Sequence, residues 1–254
     1  MSMNDVKSAK RVLDILQFFA RTKEPATLSQ IAATLGFPKS SCLALLDTLE
    51  GDGYAHQIAG RYYLTRRWLH EARIISEHDP LIKLIHPTLE GLCKELGETV
   101  LLAQRVGEHL VYLDVVEPEF TVRFTARVGQ VKPLHASASG RAILAGMSSR
   151  ERENLLSKIK LERYTKNTIV SLTRLRTLLE QEIKRGWHIN YGEHQIDTLS
   201  VAAPLVVFDT QYALVVGAPL SRARDKADEI GQALARVSQD LSDPLNTSKY
   251  SATQ

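Results

Sequence analysis

Apolar positions recur at helical spacing in three successive segments of residues 1–53, which predicts three amphipathic helices. Thr27 stands where it would cap the second helix, and Gly36 stands where it would end that helix. Only about three residues then separate the second helix from the third, which starts near Pro38. Such a short connection is typical of a helix-turn-helix.

Two short β-prone segments follow the third helix, at residues 54–58 and 61–65. Ala59 and Gly60 lie between them and suit the tight turn of a hairpin. The order of three helices followed by a hairpin predicts a winged helix-turn-helix, in which the hairpin is the wing and the third helix enters the major groove of DNA.

The predicted domain boundary lies in a polar stretch that ends at Pro80. A further helical pattern at residues 68–76 precedes this stretch. We therefore expect a DNA-binding domain with a linker helix over residues 1–78 and a second domain over residues 79–254.

The second domain combines strand and helix patterns in separate blocks. It opens with a long amphipathic segment that Pro87 is expected to kink or split. Strands, then helices, then strands and a last helix predict an α+β domain with an antiparallel sheet. The predicted strands are 99–104, 110–116, 121–127, 187–191, 200–207 and 212–217, and the predicted helices are 140–145, 150–159, 172–186 and 227–241, followed by a polar, loose tail after Pro244.

Composition narrows the function classes only a little. The net charge of +3 gives no strong basic field, so an argument for DNA binding must come from a local motif. Cys42 and Cys93 lie in apolar helical patterns and are expected to be buried thiols in a reducing compartment. No apolar run is long enough for a membrane span, and the first ten residues lack a signal core. We expect a cytoplasmic protein.

Small polar and basic side chains stand at the start of the third helix, where a recognition helix meets base edges. An ordinary three-helix bundle with a solvated face is the alternative, since residues 1–78 hold ten Lys and Arg against eight Asp and Glu. The order of elements favours DNA binding. The residues predicted to contact DNA are Thr27, Ser29, Lys39, Ser40, Ser41 and Arg61.

Short motifs spread over both domains resemble the isocitrate-lyase-regulator (IclR) family of bacterial transcription factors. Their order over nearly the whole chain is specific, although no single motif is decisive. The middle of the third helix departs from the family, because Leu43 and Ala44 stand where members often carry a basic residue. The motifs lie at residues 8–16, 35–41, 53–54, 60–62, 96–100, 133–142, 164–165, 186–187 and 202–204.

Residues 134–139 are rich in small side chains and lead into a helix that starts near Gly140. The free N–H groups of that helix start would favour a carboxylate, and Ser137 and Ser139 would add hydroxyl donors. The resemblance implies a GAF-like effector-binding domain with its pocket at this segment, in a homodimer or homotetramer. The pocket residues that the resemblance implies are Thr121, Phe124, Ala138, Ser139, Asn190, Thr198, Ser200, Val215 and Gly217.

Purely structural roles are the alternative for several of these residues. Phe124 is a common core residue, His135 suits a structural hydrogen bond, and Arg123, Arg127 and Arg141 suit a solvated charged face.

Two other function classes remain open. A hydrolase is disfavoured, because a nucleophile elbow needs glycine two residues before the serine and Ser137 precedes Ser139 there. No histidine or cysteine spacing indicates a metal site, and we expect no cofactor. A metabolite sensor that acts through protein contacts alone is the other alternative. We therefore expect a regulator, not an enzyme, that binds operator DNA under the control of a small carboxylate.

Overall fold

A computed structural model describes residues 6–242 and divides the chain into two compact units, with the division between Asp79 and Pro80. The predicted tail after Pro244 lies outside the described residues. The first unit contains three helices, a two-stranded sheet and a fourth helix. These are α1 (Lys7–Thr22), α2 (Leu28–Leu35), α3 (Lys39–Gly51), β1 (Ala55–Ile58), β2 (Arg61–Leu64) and α4 (Arg67–Glu77).

The helix-turn-helix has the local signals that its sequence predicts. The hydroxyl of Thr27 accepts the backbone N–H of Gln30, and the Gln30 side chain accepts the backbone N–H of Thr27, which forms a capping box at α2. Gly36 ends α2 with a left-handed φ of +66°. One apolar core joins the three helices, with Ile15, Ile31 and Leu46 fully buried.

The wing is a tight hairpin. β1 and β2 pair antiparallel, and Ala59 and Gly60 both have positive φ, at 50° and 77°, as a type I′ turn requires. The start of α4 packs on this hairpin, because the Trp68 indole donates to the Tyr54 carbonyl at 3.0 Å and the two rings lie 4.7 Å apart. The winged helix-turn-helix is therefore confirmed.

The second unit is built on a six-stranded sheet in the order β5-β4-β3-β8-β7-β6, with every neighbouring pair antiparallel. The predicted α+β class is confirmed. Its elements are α5 (Pro80–Leu96), β3 (Thr99–Val106), β4 (His109–Val116), β5 (Val131–Pro133), α6 (Ala138–Gly146), α7 (Ser149–Leu156), α8 (Leu172–Arg185), β6 (His188–Tyr191), β7 (Thr198–Val207), β8 (Thr210–Pro219), α9 (Leu220–Ala223), a 3₁₀ turn (Arg224–Lys226) and α10 (Ala227–Ser242).

Each face of this sheet carries its own core, because alternate residues of a strand point to opposite faces. One core combines the sheet with α5 and α10. The other combines it with α6, α7 and α8, and we call this side the α6 face. The strand residues in its core are Leu101, Ala103, Leu110, Tyr112, Ala202, Ala213 and Val215.

The predicted strand at residues 121–127 is wrong, since this segment has no regular structure. Side chains hold it as a loop: the guanidinium of Arg123 pairs with Glu117 at 2.7 Å and donates to the Phe120 carbonyl. The outer edge of β4 pairs instead with β5. These tertiary contacts therefore override the β propensity of the segment.

Pro87 neither ends nor splits α5, which runs from Pro80 to Leu96 as one helix. The helix buries Leu84, Ile85 and Leu89 on both sides of the proline, and this packing stabilises it across the missing N–H donor. No helix within residues 6–242 is long and apolar enough to cross a membrane.

Candidate nucleic-acid interface and effector site

The leading end of α3 is exposed, and its underside is buried. Lys39 and Ser40 lie in solvent at the first turn, while Cys42, Leu46 and Leu49 lie in the core of the first unit. A recognition helix needs this arrangement, because the groove-facing side must be free of the protein.

The exposed face of α3 continues through its middle. Leu43 is 39% exposed, and Ala44 and Asp47 are exposed with it. In the major groove, apolar side chains contact the thymine methyl group, and a carboxylate accepts from the cytosine amino group. Leu43 and Ala44 thus form a short apolar strip on the exposed face of α3.

Ser41 has a partner within the protein. Its hydroxyl accepts a hydrogen bond from the Arg11 guanidinium at 2.8 Å, and that guanidinium also lies over the Phe37 ring, 5.1 Å from the ring centroid. The sequence reasoning missed Arg11, whose position at the leading end of α3 depends on packing between α1 and α3. Arg11 therefore places a positive charge at Ser41, in the first turn of α3.

The other predicted DNA-contacting residues differ in how accessible their side chains are. Ser29 and Arg61 are exposed, and Arg61 donates to the Pro25 carbonyl at 3.3 Å. The hydroxyl of Thr27 is engaged in the capping box with Gln30. Thr27 therefore orients the start of α2, while Ser29 and Arg61 remain accessible.

In the second unit, the start of α6 is tightly packed. Ser137 caps the helix, since its hydroxyl accepts the Gly140 N–H at 3.1 Å and donates to the Pro133 carbonyl at 2.7 Å. A Cβ at Gly140 would lie 2.1 Å from the Leu134 carbonyl oxygen. Ala138 and Ser139 are fully buried against the sheet.

Three predicted pocket residues fall in one row across the sheet. Asn190 of β6 is opposite Ser200 of β7, which is opposite Gly217 of β8. Thr99 of β3 extends the row beyond Gly217. Val215 is two residues along β8 and belongs to the core of the same α6 face.

Phe124 lies directly on this row. A Cβ at Gly217 would come within 2.5 Å of a Phe124 ring carbon, so only glycine leaves room for the ring. The hydroxyl of Thr99 donates to the Phe124 carbonyl at 2.5 Å and holds the segment there. Phe124 is thus beside Gly217, as the prediction requires, but on a loop instead of a strand.

Ser139 faces the sheet and not bulk solvent. Its side chain forms a hydrogen bond with Tyr112 of β4, and burial raises the pKa of Tyr112 to about 12. A ligand hydroxyl or carboxylate that reached Ser139 would compete with this neutral phenol for the same hydrogen bond.

Other contacts of the predicted pocket residues are local, and one of these residues lies in solvent. The Asn190 amide donates to the Ala136 carbonyl at 2.8 Å and accepts the Glu193 N–H at 3.0 Å, which ties the β6–β7 loop to the start of α6. The hydroxyl of Thr198 donates to Gln195 at 2.8 Å, and Thr121 is exposed.

Arg141 is not part of a solvated face, contrary to our expectation. It is fully buried, with its guanidinium 3.0 Å from a Glu182 oxygen and 2.8 Å from a Glu193 oxygen, and it also donates to the Ile189 carbonyl. Attraction to Arg141 and hydrogen bonds from His188 and the Ile189 N–H outweigh burial and lower the pKa of Glu182. These contacts join α6, α8 and the β6–β7 loop.

His135 has a structural contact, since its Nε2 lies 2.9 Å from the Glu162 carbonyl oxygen. Within residues 6–242, no group of three or more His, Cys, Asp and Glu side chains is placed to hold a metal ion. Both Cys42 and Cys93 are buried free thiols in these described residues, and burial raises their pKa.

Two family models match successive parts of the chain. A model of the IclR helix-turn-helix domain matches residues 8–59, and a model of the C-terminal domain of bacterial IclR regulators matches residues 73–243. The transcriptional repressor IclR of Escherichia coli K12 is 28% identical over 245 residues, covering 93% of this chain and 89% of the relative. The regulator KipR of Bacillus subtilis 168 is 26% identical over 228 residues, covering 89% and 91%.

Solved structures show the same fold. An IclR family regulator from Brucella abortus superposes with a TM-score of 0.75 at 29% identity, covering 95% of this chain and 93% of that one. An IclR homolog from Microbacterium hydrocarbonoxydans, solved with 4-hydroxybenzoate, gives a TM-score of 0.75 at 26% identity, covering 92% and 98%.

Proposed function

Since this chain belongs to the IclR family of bacterial transcriptional regulators, we propose that it binds operator DNA through α3 and that a small carboxylate in the second unit changes its operator affinity. The observation that carries the proposal is the free leading end of α3. Lys39 and Ser40 are exposed there above a fully packed helix-turn-helix core.

The exposed face of α3 supports a mixed readout of the operator. Lys39 and Ser40 offer donors to phosphate or base edges. Leu43 and Ala44 offer apolar contacts to thymine methyl groups. Ser29 and Arg61 add contacts to the backbone on either side. We infer that Leu43 and Ala44 favour thymine at the bases they contact.

We infer that the regulator acts as a homodimer or homotetramer in the cytoplasm. Leu69, Ile74 and Ile75 of α4 are exposed apolar residues that a second subunit would cover. A dimer would present two copies of α3 to half-sites about 34 Å or a multiple of it apart.

The α6 face supports a carboxylate effector. The start of α6, the row of Asn190, Ser200 and Gly217, and the ring of Phe124 lie on the same side of the sheet. The Microbacterium homolog was solved with an aromatic carboxylate, which is consistent with this class. Effector binding shifts operator affinity only through its differential affinity for two states, typically by about 1–3 kcal/mol.

The DNA-binding step is tested by operator selection from random duplexes followed by affinity measurements over a salt series. Lys39→Gln should weaken binding to all sequences and reduce the salt slope by about one counterion. Leu43→Ala should lose preference at one base position with an unchanged slope. Lys94→Gln, which removes an exposed lysine from α5, is the matched control. Equal behaviour of Lys39→Gln and Lys94→Gln would refute the role of α3.

A metabolite sensor that acts through protein contacts alone remains the second candidate. The exposed apolar side chains of α4 favour it as much as they favour a dimer. Competition with operator-free DNA separates the two, because specific operator binding survives the competitor.

A further inference from the structure

Most residues of the proposed effector site are closed off from solvent. Ala138, Ser139, Asn190 and Val215 are each at most 3% exposed. A ligand therefore cannot contact them unless part of the second unit moves. The part that moves must lie on the α6 face, because these residues do.

Two parts of the α6 face are fixed by contacts in the interior. The start of α6 is closely packed, because a Cβ at Gly140 would overlap the Leu134 carbonyl. The β6–β7 loop is held by Arg141, whose guanidinium is fully buried between two carboxylates. Moving that loop would strand buried charges, which is costly. Neither part is therefore suited to open.

Residues 117–127 form a third part of this face, which we call the lid. The lid has no regular structure, and its Phe124 ring lies against Gly217 in the row. Its outer side is in solvent, since Phe120 and Val122 are 57% and 67% exposed. An outward movement of the lid therefore uncovers the row without removing these two side chains from a core.

A salt bridge outside the row holds the lid closed. Arg222 of α9 donates to the two carboxylate oxygens of Glu98 at 2.6 and 2.7 Å. The same guanidinium donates to the Val122 carbonyl at 3.0 Å and lies 5.4 Å from the centroid of the Phe120 ring. We call the pair of Glu98 and Arg222 the latch. The Arg222 side chain is 38% exposed, so water weakens the latch in a way that it does not weaken the buried pairs of Arg141.

We propose that the Phe124 ring occupies the effector site in the unliganded regulator and that the latch sets how often the lid opens. The effector then replaces the ring at Gly217, so its apolar part takes the place of an aromatic side chain. Because binding requires the open lid, the apparent affinity is the intrinsic affinity multiplied by the open fraction. This inference rests on the proposed function and adds the regulation of its effector site.

The first experiment measures opening without any ligand, by the rate at which iodoacetamide labels thiols in the full chain. Ser139→Cys places a thiol in the closed site, and Cys93, buried in the core on the other face of the sheet, is an internal reference. Arg222→Gln should speed labelling of the introduced thiol by about fivefold or more and leave the labelling of Cys93 unchanged. Lys226→Gln, which removes an exposed charge from the neighbouring turn, should change neither rate.

A second variant separates opening of the lid from general destabilisation. Arg222→Gln leaves the buried Glu98 carboxylate without its partner, which can loosen the fold around it. Glu98→Gln/Arg222→Gln leaves no such charge and should label the introduced thiol as fast as the single variant does. Equal labelling of this thiol with and without the latch, or an equal acceleration at Cys93, would overturn the proposal.

Carboxylate binding distinguishes the lid from the function on which it rests. Thermal denaturation with benzoate, 4-hydroxybenzoate and butyrate measures binding to the wild type and to the double variant. A carboxylate that binds the wild type should bind the double variant more tightly, by the factor by which labelling rises. Equal affinity of the two proteins refutes control of the site by the latch. Faster labelling without binding of any carboxylate supports the lid and refutes the carboxylate effector.

Discussion

Arg141→Met should destabilise the second unit strongly, because it leaves the buried Glu193 carboxylate without a cation and leaves Glu182 with only the part-exposed Arg185. Arg141 is fully buried, and the Glu182 and Glu193 side chains are 3% and 8% exposed. Removing one partner of a buried ion pair typically costs about 3–5 kcal/mol. In the wild type, burial and the charge of Arg141 lower the pKa of His188, which is therefore neutral at pH 7.

The loss of stability caused by Arg141→Met should depend on pH. A carboxylate stranded in the variant can take a proton, which costs about 3.7 kcal/mol at pH 7 and about 1.6 kcal/mol at pH 5.5 from a reference pKa of about 4.3. The variant therefore gains relative stability as the pH falls. In the wild type the pKa of Glu182 is lowered, so its contribution is present above the unfolded pKa and is lost as the pH falls through the folded one.

Between pH 7 and pH 5.5 only the first trend narrows the stability gap between the wild type and the variant, because the second acts below the unfolded pKa of about 4.3. We expect it to shrink by about 2 kcal/mol between pH 7 and pH 5.5 for each carboxylate that takes a proton. Urea denaturation measures this in a Trp68→Phe background, where Trp187 fluorescence reports on the second unit.

Arg176→Met is the matched control. Arg176 and Glu153 form an ion pair whose side chains are 41% and 48% exposed, and such a pair is worth about 0–1 kcal/mol. A loss below about 1 kcal/mol for Arg141→Met, or a gap that does not change with pH, would refute the argument from stranded charges.

Two further predictions concern the second unit. Gly140→Ala should destabilise it, because the new Cβ would overlap the Leu134 carbonyl. Gly91→Ala, in the interior of α5, has open space for its Cβ and should stabilise the unit by about 0.4–1 kcal/mol. Urea denaturation of the two variants measures both effects. The hydrogen bond to Asp114 raises the pKa of His86, so this pair stabilises below the unfolded pKa of about 6.5, and its contribution disappears as the pH rises through the folded value. Asp114→Asn should therefore cost stability at pH 6 and little at pH 9, and a loss independent of pH would contradict the assignment.

The first unit was predictable because its signals are local. Thr27 and Gly36 cap α2 through contacts within four residues, and Ala59 and Gly60 select the hairpin turn by their own φ values. The exposure of Ser40 follows from the same helical period that buries Leu46, whereas Lys39 shares the face of Leu46 and is exposed because it lies at the end of the helix. In such segments local preference and tertiary packing agree.

In the second unit, local sequence signals do not specify the whole structure. Segment 121–127 has β-branched residues, but contacts of Arg123 and Thr99 hold it as a loop. The row of Asn190, Ser200 and Gly217 depends on sheet register, which no local motif specifies. The pattern of a single sequence does not show which charged side chains form ion pairs with residues far away in the chain.

Arg141 shows why that distinction matters. It is a buried cation whose two carboxylate partners lie 41 and 52 residues away in the sequence. This cation therefore holds α6 to α8 and to Glu193 of the β6–β7 loop. Because these contacts already order the loop, an effector bound at the start of α6 would spend little binding energy on ordering it.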